Sequence, residues 1–327
     1  MWFELGAELG VFFLLLVGLE VRLWPMRLSS FCRCLILVVS SWGVCAGEEE
    51  KVAGDSGSPN SFGEAIGRQA TLEFSYEPSA DLDAGGDFSY WDARVSAPVF
   101  GGRITDSWFY GFRLRYRLSE FDGSGTELFS QNSLHRIDLS GSLVYRPANS
   151  PWVGFLSVGP AMATDGEAID GDSFLWVGIA GIGYRFSETF TLLGGGFFSQ
   201  EFGEPRFLGA PGFIWTPTKA LTASLIGPRF RMAYAAGDDW RVAVEAYPDG
   251  GRWNIETANG QDAYLDRSGA RVGLRLERRV LGNGWLFVGG GYMVSREIEV
   301  ETVGGESLFA SDADSGLFFN SGFTWRF

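Results

Sequence analysis

The sequence predicts an all-β chain that closes as a transmembrane antiparallel up-and-down β-barrel of roughly 12–14 strands. Three observations carry this. Apolar and polar residues alternate with period two from Arg68 onward, short and long connections take turns, and aromatic residues follow the short ones directly.

The alternation is plain in "FRLRYRLS", where Phe112, Leu114, Tyr116 and Leu118 interleave with Arg113, Arg115, Arg117 and Ser119. In "ARVGLRLER", Ala270, Val272, Leu274 and Leu276 interleave with Arg271, Gly273, Arg275 and Glu277. "WDARVSA" and "RIDLSGSLVYR" repeat the pattern. Period two gives each strand one apolar and one polar face. A soluble sandwich would turn the apolar faces together, whereas a membrane barrel turns them to lipid.

Length, loops and aromatics favour the barrel. Taken in order, the candidate strands are 68–78, 88–100, 108–119, 134–146, 152–164, 174–186, 190–202, 205–217, 221–234, 240–248, 264–280, 285–300 and 315–327. Many match the roughly 9–11 residues a tilted strand needs to cross a bilayer. Short connections ("RPANSP", "RFSE", "TPTK", "GDD", "LGNG") contrast with longer, often acidic ones ("SADLDAGGD", "TDGEAIDGDS", "ETVGGESLFASDADS"). Trp108, Trp152, Trp240 and Trp285 each follow a short turn, as an interfacial girdle would. These thirteen segments are odd in number, and a bacterial barrel wants an even count. Gly227-Pro228 interrupts 221–234: read as a hairpin it gives fourteen strands, and read as a pair too short to cross it leaves twelve.

Composition narrows the function. The net charge of −14 argues against nucleic acid. All three cysteines, Cys32, Cys34 and Cys45, fall in residues 1–46. From Met26 that segment reads as an export signal: Arg27 and Arg33, an apolar run from Cys34 to Trp42, then Val44 and Ala46 at a small-residue cleavage site. Met26 is therefore the expected true start, against an anchor helix running past Glu20 or a lipoprotein modification at Cys45. Residues 47–67 are polar and Gly/Ser-rich, a flexible periplasmic lead-in to a barrel over 68–327. The expected location is the outer membrane of a Gram-negative-type bacterium, with lipid and lipopolysaccharide as partners and the oligomeric state open.

The last residues, "SGFTWRF", set Phe323, Trp325 and Phe327 on one side of an alternating strand after Ser321 and Gly322. They resemble the C-terminal β-signal of outer-membrane barrels, which implies recognition by the barrel-assembly machinery through edge pairing. With "YWDARVSAPVF" and "IGPRFRMAYAAGDDW", the chain from 68 to 327 also resembles an uncharacterised bacterial outer-membrane barrel family, a domain of unknown function. That resemblance implies fold and location and brings no activity.

The polar face supplies the candidate site. Arg94, Arg113, Arg115, Arg117, Arg136, Arg271 and Arg275 are expected to line the lumen beside Asp138 and Glu277. They suit either a cross-wall ion-pair network or one charged wall of a pore. His135 shares the apolar face, with Ser133 nearby, and "NSLHRID" resembles no barrel hydrolase. No enzyme activity, cofactor or metal is assigned. The acidic loop with Asp165, Glu167, Asp170 and Asp172 lacks EF-hand spacing. The expected function is a passive or weakly selective channel for small polar solutes. The alternative is a filled-lumen barrel with a structural or adhesion role through its acidic loops; an outer-membrane hydrolase stands third.

Overall fold

The computed structural model describes residues 69–123, 131–200 and 206–327. The expected export segment and lead-in lie outside the described residues. Sixteen strands occur among those described: β1 (Gln69–Asp81), β2 (Asp87–Arg103), β3 (Trp108–Gly123), β4 (Ser133–Tyr145), β5 (Trp152–Thr164), β6 (Phe174–Arg185), β7 (Phe190–Ser199) and β8 (Arg206–Trp215) come first. They are followed by β9 (Leu221–Ile226), β10 (Arg229–Ala236), β11 (Trp240–Pro248), β12 (Gly251–Glu256), β13 (Asp262–Leu281), β14 (Gly284–Thr302), β15 (Ser307–Ala313) and β16 (Gly316–Arg326).

Fourteen of them close an antiparallel barrel. Neighbours pair from β1 through β11, β11 passes directly to β13, and β14 pairs β16, which returns to β1. Gly227 and Pro228 form the two-residue turn between β9 and β10, with Ile226 opposite Arg229. Gly227 takes φ +57°, a conformation that favours glycine at the first central position of such a turn. The hairpin reading of this segment, and with it the count of fourteen, is the one the structure adopts.

Two strands depart from the sequence expectation. β12 and β15 fall in stretches that read as loops, and each pairs with the far end of a long neighbour, β13 or β14. Only the outer parts of β13 and β14 are used in this way; from Ala270 onward β13 pairs with β11 as part of the wall.

The outer face is apolar. Leu114, Ile137, Leu139, Leu156, Ile182 and Leu274 are all exposed, on β3, β4, β5, β6 and β13. A continuous exposed apolar belt of this extent marks a lipid-facing surface rather than a soluble one. Because side chains alternate, the register puts the polar set inside: Glu73 lies opposite Arg94, Arg94 opposite Arg117, and Arg117 opposite Arg136.

Candidate functional site

β12 crosses the long-loop mouth of the lumen. One edge pairs with β13 over six residues, and Asn254 makes a parallel bridge to Thr164 on β5. In the closed ring β13 and β5 are diametrically opposite, with six strands between them on either side. The strand thus divides the mouth into two arcs.

The arc from β14 through β4 is packed. Trp253 and Ile255 of β12 are buried with Phe88, Tyr90, Phe121 and Leu134 beneath them. A latch fixes the far end of β12. Asn254 Nδ2 donates to Asp170 Oδ1 at 2.8 Å and to Ser173 Oγ at 3.2 Å. Asp165 Oδ2 accepts the Glu256 amide at 2.8 Å, while its Oδ1 takes the amides of Glu167 and Ala168. The acidic loop 165–172 is therefore structural, because Asp165 and Asp170 use their oxygens to hold the strand.

Below this layer, three carboxylates meet five guanidiniums. Asp249, in the connection between β11 and β12, is 2.7 Å from Arg94, 3.0 Å from Arg267, 3.1 Å from Arg271 and 3.6 Å from Arg117. Glu77 pairs with Arg267, with Arg271 at 2.6 Å and with Arg296 at 3.4 Å. Asp92 lies 2.6 Å from Arg94 and 3.5 Å from Arg117. Tyr90 accepts from Arg117 at 2.5 Å and lies under Arg267. Charges so deeply buried are tolerable only when paired and hydrogen-bonded.

A second network lies nearer the short-turn rim. Glu277 receives Arg231 at 2.7 Å, Arg326 at 2.9 Å and Arg275 at 3.2 Å, and Glu245 holds Arg231 at 3.0 Å. Arg275 stacks over Phe287 with 3.4 Å to the ring centroid.

The expected lumen residues fall into five settings. Arg94, Arg117 and Arg271 belong to the first network, and Arg275 and Glu277 to the second. Arg136 and Asp138 pair with each other at 2.7 Å on β4. Arg113 donates to Ser96 at 2.6 Å. Arg115 shares the lumen-facing parity of Arg113 and Arg117 but is exposed, so water reaches the lumen at its level. Sequence reasoning does not single out Glu77, Asp249, Arg267 or Arg296. Glu77 continues the period of Glu73 and is legible in that way; Asp249 stands in "PDGG", where no periodicity operates.

Trp108, Trp152 and Trp240 stand exposed beside the short turns, at 38 %, 51 % and 39 %. Trp285 does not join them. It is 5 % exposed, and Arg241 and Arg326 lie over its ring at 4.3 Å and 4.5 Å. The girdle assignment for Trp285 is corrected: its register opposite Thr324 gives it inward parity, where cation–π contacts replace the headgroup layer. In β16, Phe323 and Trp325 share the outer row with Ser321, Gly322 turns inward, and Phe327 follows the strand, exposed.

The opposite arc has different chemistry. From β5 to β9 the inward positions at mid-wall include Phe155, Ile179, Gly181, Gly195, Leu208, Ala210 and Ile226, and the charged residues of that register, Arg185 and Arg206, stand at the ends of β6 and β8. Gly195 and Leu208 are exposed despite facing inward. These two inward positions are not covered by other side chains, whereas Val153, Leu193 and Ile214 lower on the same arc form a small buried cluster.

His135 is on the outer face, where its Nδ1 is 2.9 Å from the Tyr116 hydroxyl, and Ser133 donates to Glu120 at 3.3 Å. Among the described residues no group of His, Cys, Asp and Glu is arranged to hold a metal.

Several solved barrels have similar folds. An outer membrane channel from Pseudomonas putida F1 is 10 % identical, with 80 % of this chain and 96 % of that one covered and a TM-score of 0.45. A FadL homologue from Pseudomonas aeruginosa is 11 % identical, over 79 % and 90 % of the two chains, at 0.38. The KdgM porin in complex with disordered oligogalacturonate is 8 % identical, over 79 % and 99 %, at 0.33. At these scores the likeness carries nothing about activity. No curated protein matches the chain. The family described as a domain of unknown function, DUF6268, matches residues 102–326, and the chain belongs to that family.

Proposed function

We propose that the protein is an outer-membrane channel of narrow bore for small solutes. The observation that carries this reading is the division of the mouth by β12: one arc is packed and charged, and the other is lined by glycine and small or apolar residues with exposed inward positions. A path would enter at the short-turn rim past Arg115 and leave along β6–β9. Two continuous ion-pair networks hold the remaining wall rigid, as a fixed bore requires. The outer-membrane location rests on the apolar belt and on closure of fourteen strands into a ring, which suits strands crossing a bilayer.

Bilayer recordings on purified, refolded protein test this. Small, stepwise conductance is expected, and Trp253→Ala, which removes the largest side chain of β12, should enlarge the step. If neither protein conducts, the packed arc and its networks favour the second reading, a filled barrel with a structural role.

A further inference from the structure

The wall is low on one side. β8 pairs with β7 along ten residues, from Arg206 opposite Ser199 to Trp215 opposite Phe190. With β9 it pairs over three only, Phe213 to Trp215. The β9–β10 hairpin turns at Gly227-Pro228, so among the described residues the β8 segment above Phe213 has no strand partner on that side. Pro211, which cannot donate to a ladder, lies in this unpartnered segment. Trp215 marks the short-turn end of β8's outer face, and Phe207, 73 % exposed, marks the other end. The notch therefore opens within the lipid-facing height of the wall.

Behind the notch is an apolar recess on this arc. Phe155, Ile179, Leu193, Phe197, Ala210 and Ile226 line it, together with Gly227 of the β9–β10 turn. A Cβ on Gly227 would stand 3.3 Å from Ile179 Cδ1, so the hairpin tip rests against the inner face of β6. The free space is small, about 20 Å³. An occupant larger than a water must push the tip away from Ile179, and only three strand pairs tie that hairpin to β8.

We propose that this recess is a binding site for a small apolar molecule, of the size of a single hydrocarbon ring, whose mouth is the notch above the β9–β10 turn. The lining offers no charge to a polar solute and no fixed hydrogen-bonding side chain to orient one. An apolar molecule gains by leaving water for such a surface and meets no desolvation cost there. The site is separate from the charged path at Arg115, and its occupation does not depend on conductance.

Equilibrium dialysis of radiolabelled toluene against the refolded protein in detergent, with an equal micelle blank, tests the site. Saturable binding near one toluene per barrel is expected. Ala210→Phe, which fills the recess, should weaken it at least tenfold while Arg115→Gln leaves it unchanged. Ile226→Phe serves if the first variant does not insert. Uptake equal to the micelle blank, or full binding by both filled variants after insertion, overturns the proposal. A barrel that conducts without binding toluene loses only this site; one that binds without conducting loses only the channel reading.

Discussion

Arg271 on β13 and Asp249 before β12 meet at 3.1 Å, with side chains 0 % and 4 % exposed. The pair ties the strand that enters the lumen to the wall it leaves. Asp249 also meets Arg94, Arg117 and Arg267, so it is the shared counter-charge of four guanidiniums.

Asp249→Ala should destabilise the barrel more than any single arginine truncation in the network. Removing one partner of a buried pair leaves the others uncompensated, at a cost of about 3–5 kcal/mol. The urea midpoint of the folded, heat-modifiable band on a gel reads this directly. An unchanged midpoint would mean that water already solvates the cluster.

Asn254→Ala should loosen β12 without unfolding the wall. It removes donors to Asp170 and Ser173 at the end of the strand remote from β13. Hydrogen exchange is expected to rise at least several-fold at Asn254 and Glu256 while β1–β4 keep their protection. Equal protection in both proteins would show that burial of Trp253 and Ile255 suffices.

Trp285→Ala and Trp152→Ala should separate cleanly. Trp285 is enclosed by Arg241 and Arg326, and its truncation opens a void of the kind that costs about 3–5 kcal/mol. Trp152 faces outward and loses mainly a headgroup contact. Urea midpoints should fall further for Trp285→Ala, and the reverse order would restore Trp285 to the girdle.

The barrel is legible because lipid outside and water inside impose period two on every crossing strand. Leu114 and Arg115 declare their faces by position alone. The site is legible only in part. Once inside, Arg115 and Arg117 look alike in sequence, and their difference comes from Asp92 and Asp249, which only closure of the ring brings near. β12 is not legible, because "GRWNIE" is buried on both faces and so shows no alternation. Trp285 is misplaced for a related reason: a tryptophan after a short turn has either parity, and the register with Thr324 decides it.

The outer extension of β13 and β14 carries a pH response. Asp266 is paired with Arg252 at 3.1 Å and lies opposite Glu299, with Glu297 and Glu301 alongside. Burial, opposed by Arg252 and reinforced by the three glutamates, pushes its carboxyl up to about 7. A carboxylic acid raised in the folded state stabilises that state when protonated, and the contribution is lost as pH rises through about 7. Protection of the extension should therefore fall progressively as pH rises from about 4, where the open-state carboxyl ionises, to about 7, and level off above that. In Asp266→Asn that step should disappear, read from exchange rates corrected for their intrinsic pH dependence.

The three arginines of β3 should respond differently to substitution. They project from one face about 6.6 Å apart along the strand, and facing lipid each would cost about 2–4 kcal/mol near the midplane. Arg113 is bonded to Ser96, and Arg117 is held by Gly250 O at 2.8 Å and by Tyr90. Arg115 is the exposed member, so on the proposed path its charge is the one solutes would meet. Low-dielectric walls confine its field, which favours anions locally. Arg115→Gln should shift the reversal potential toward cations with insertion unchanged. Arg117→Gln should instead lower stability, because it takes a counter-charge from Asp92 and Asp249. If Arg115→Gln conducts with the wild-type reversal potential, ions do not pass β3 at that level, and the proposed path along the short-turn vestibule is wrong.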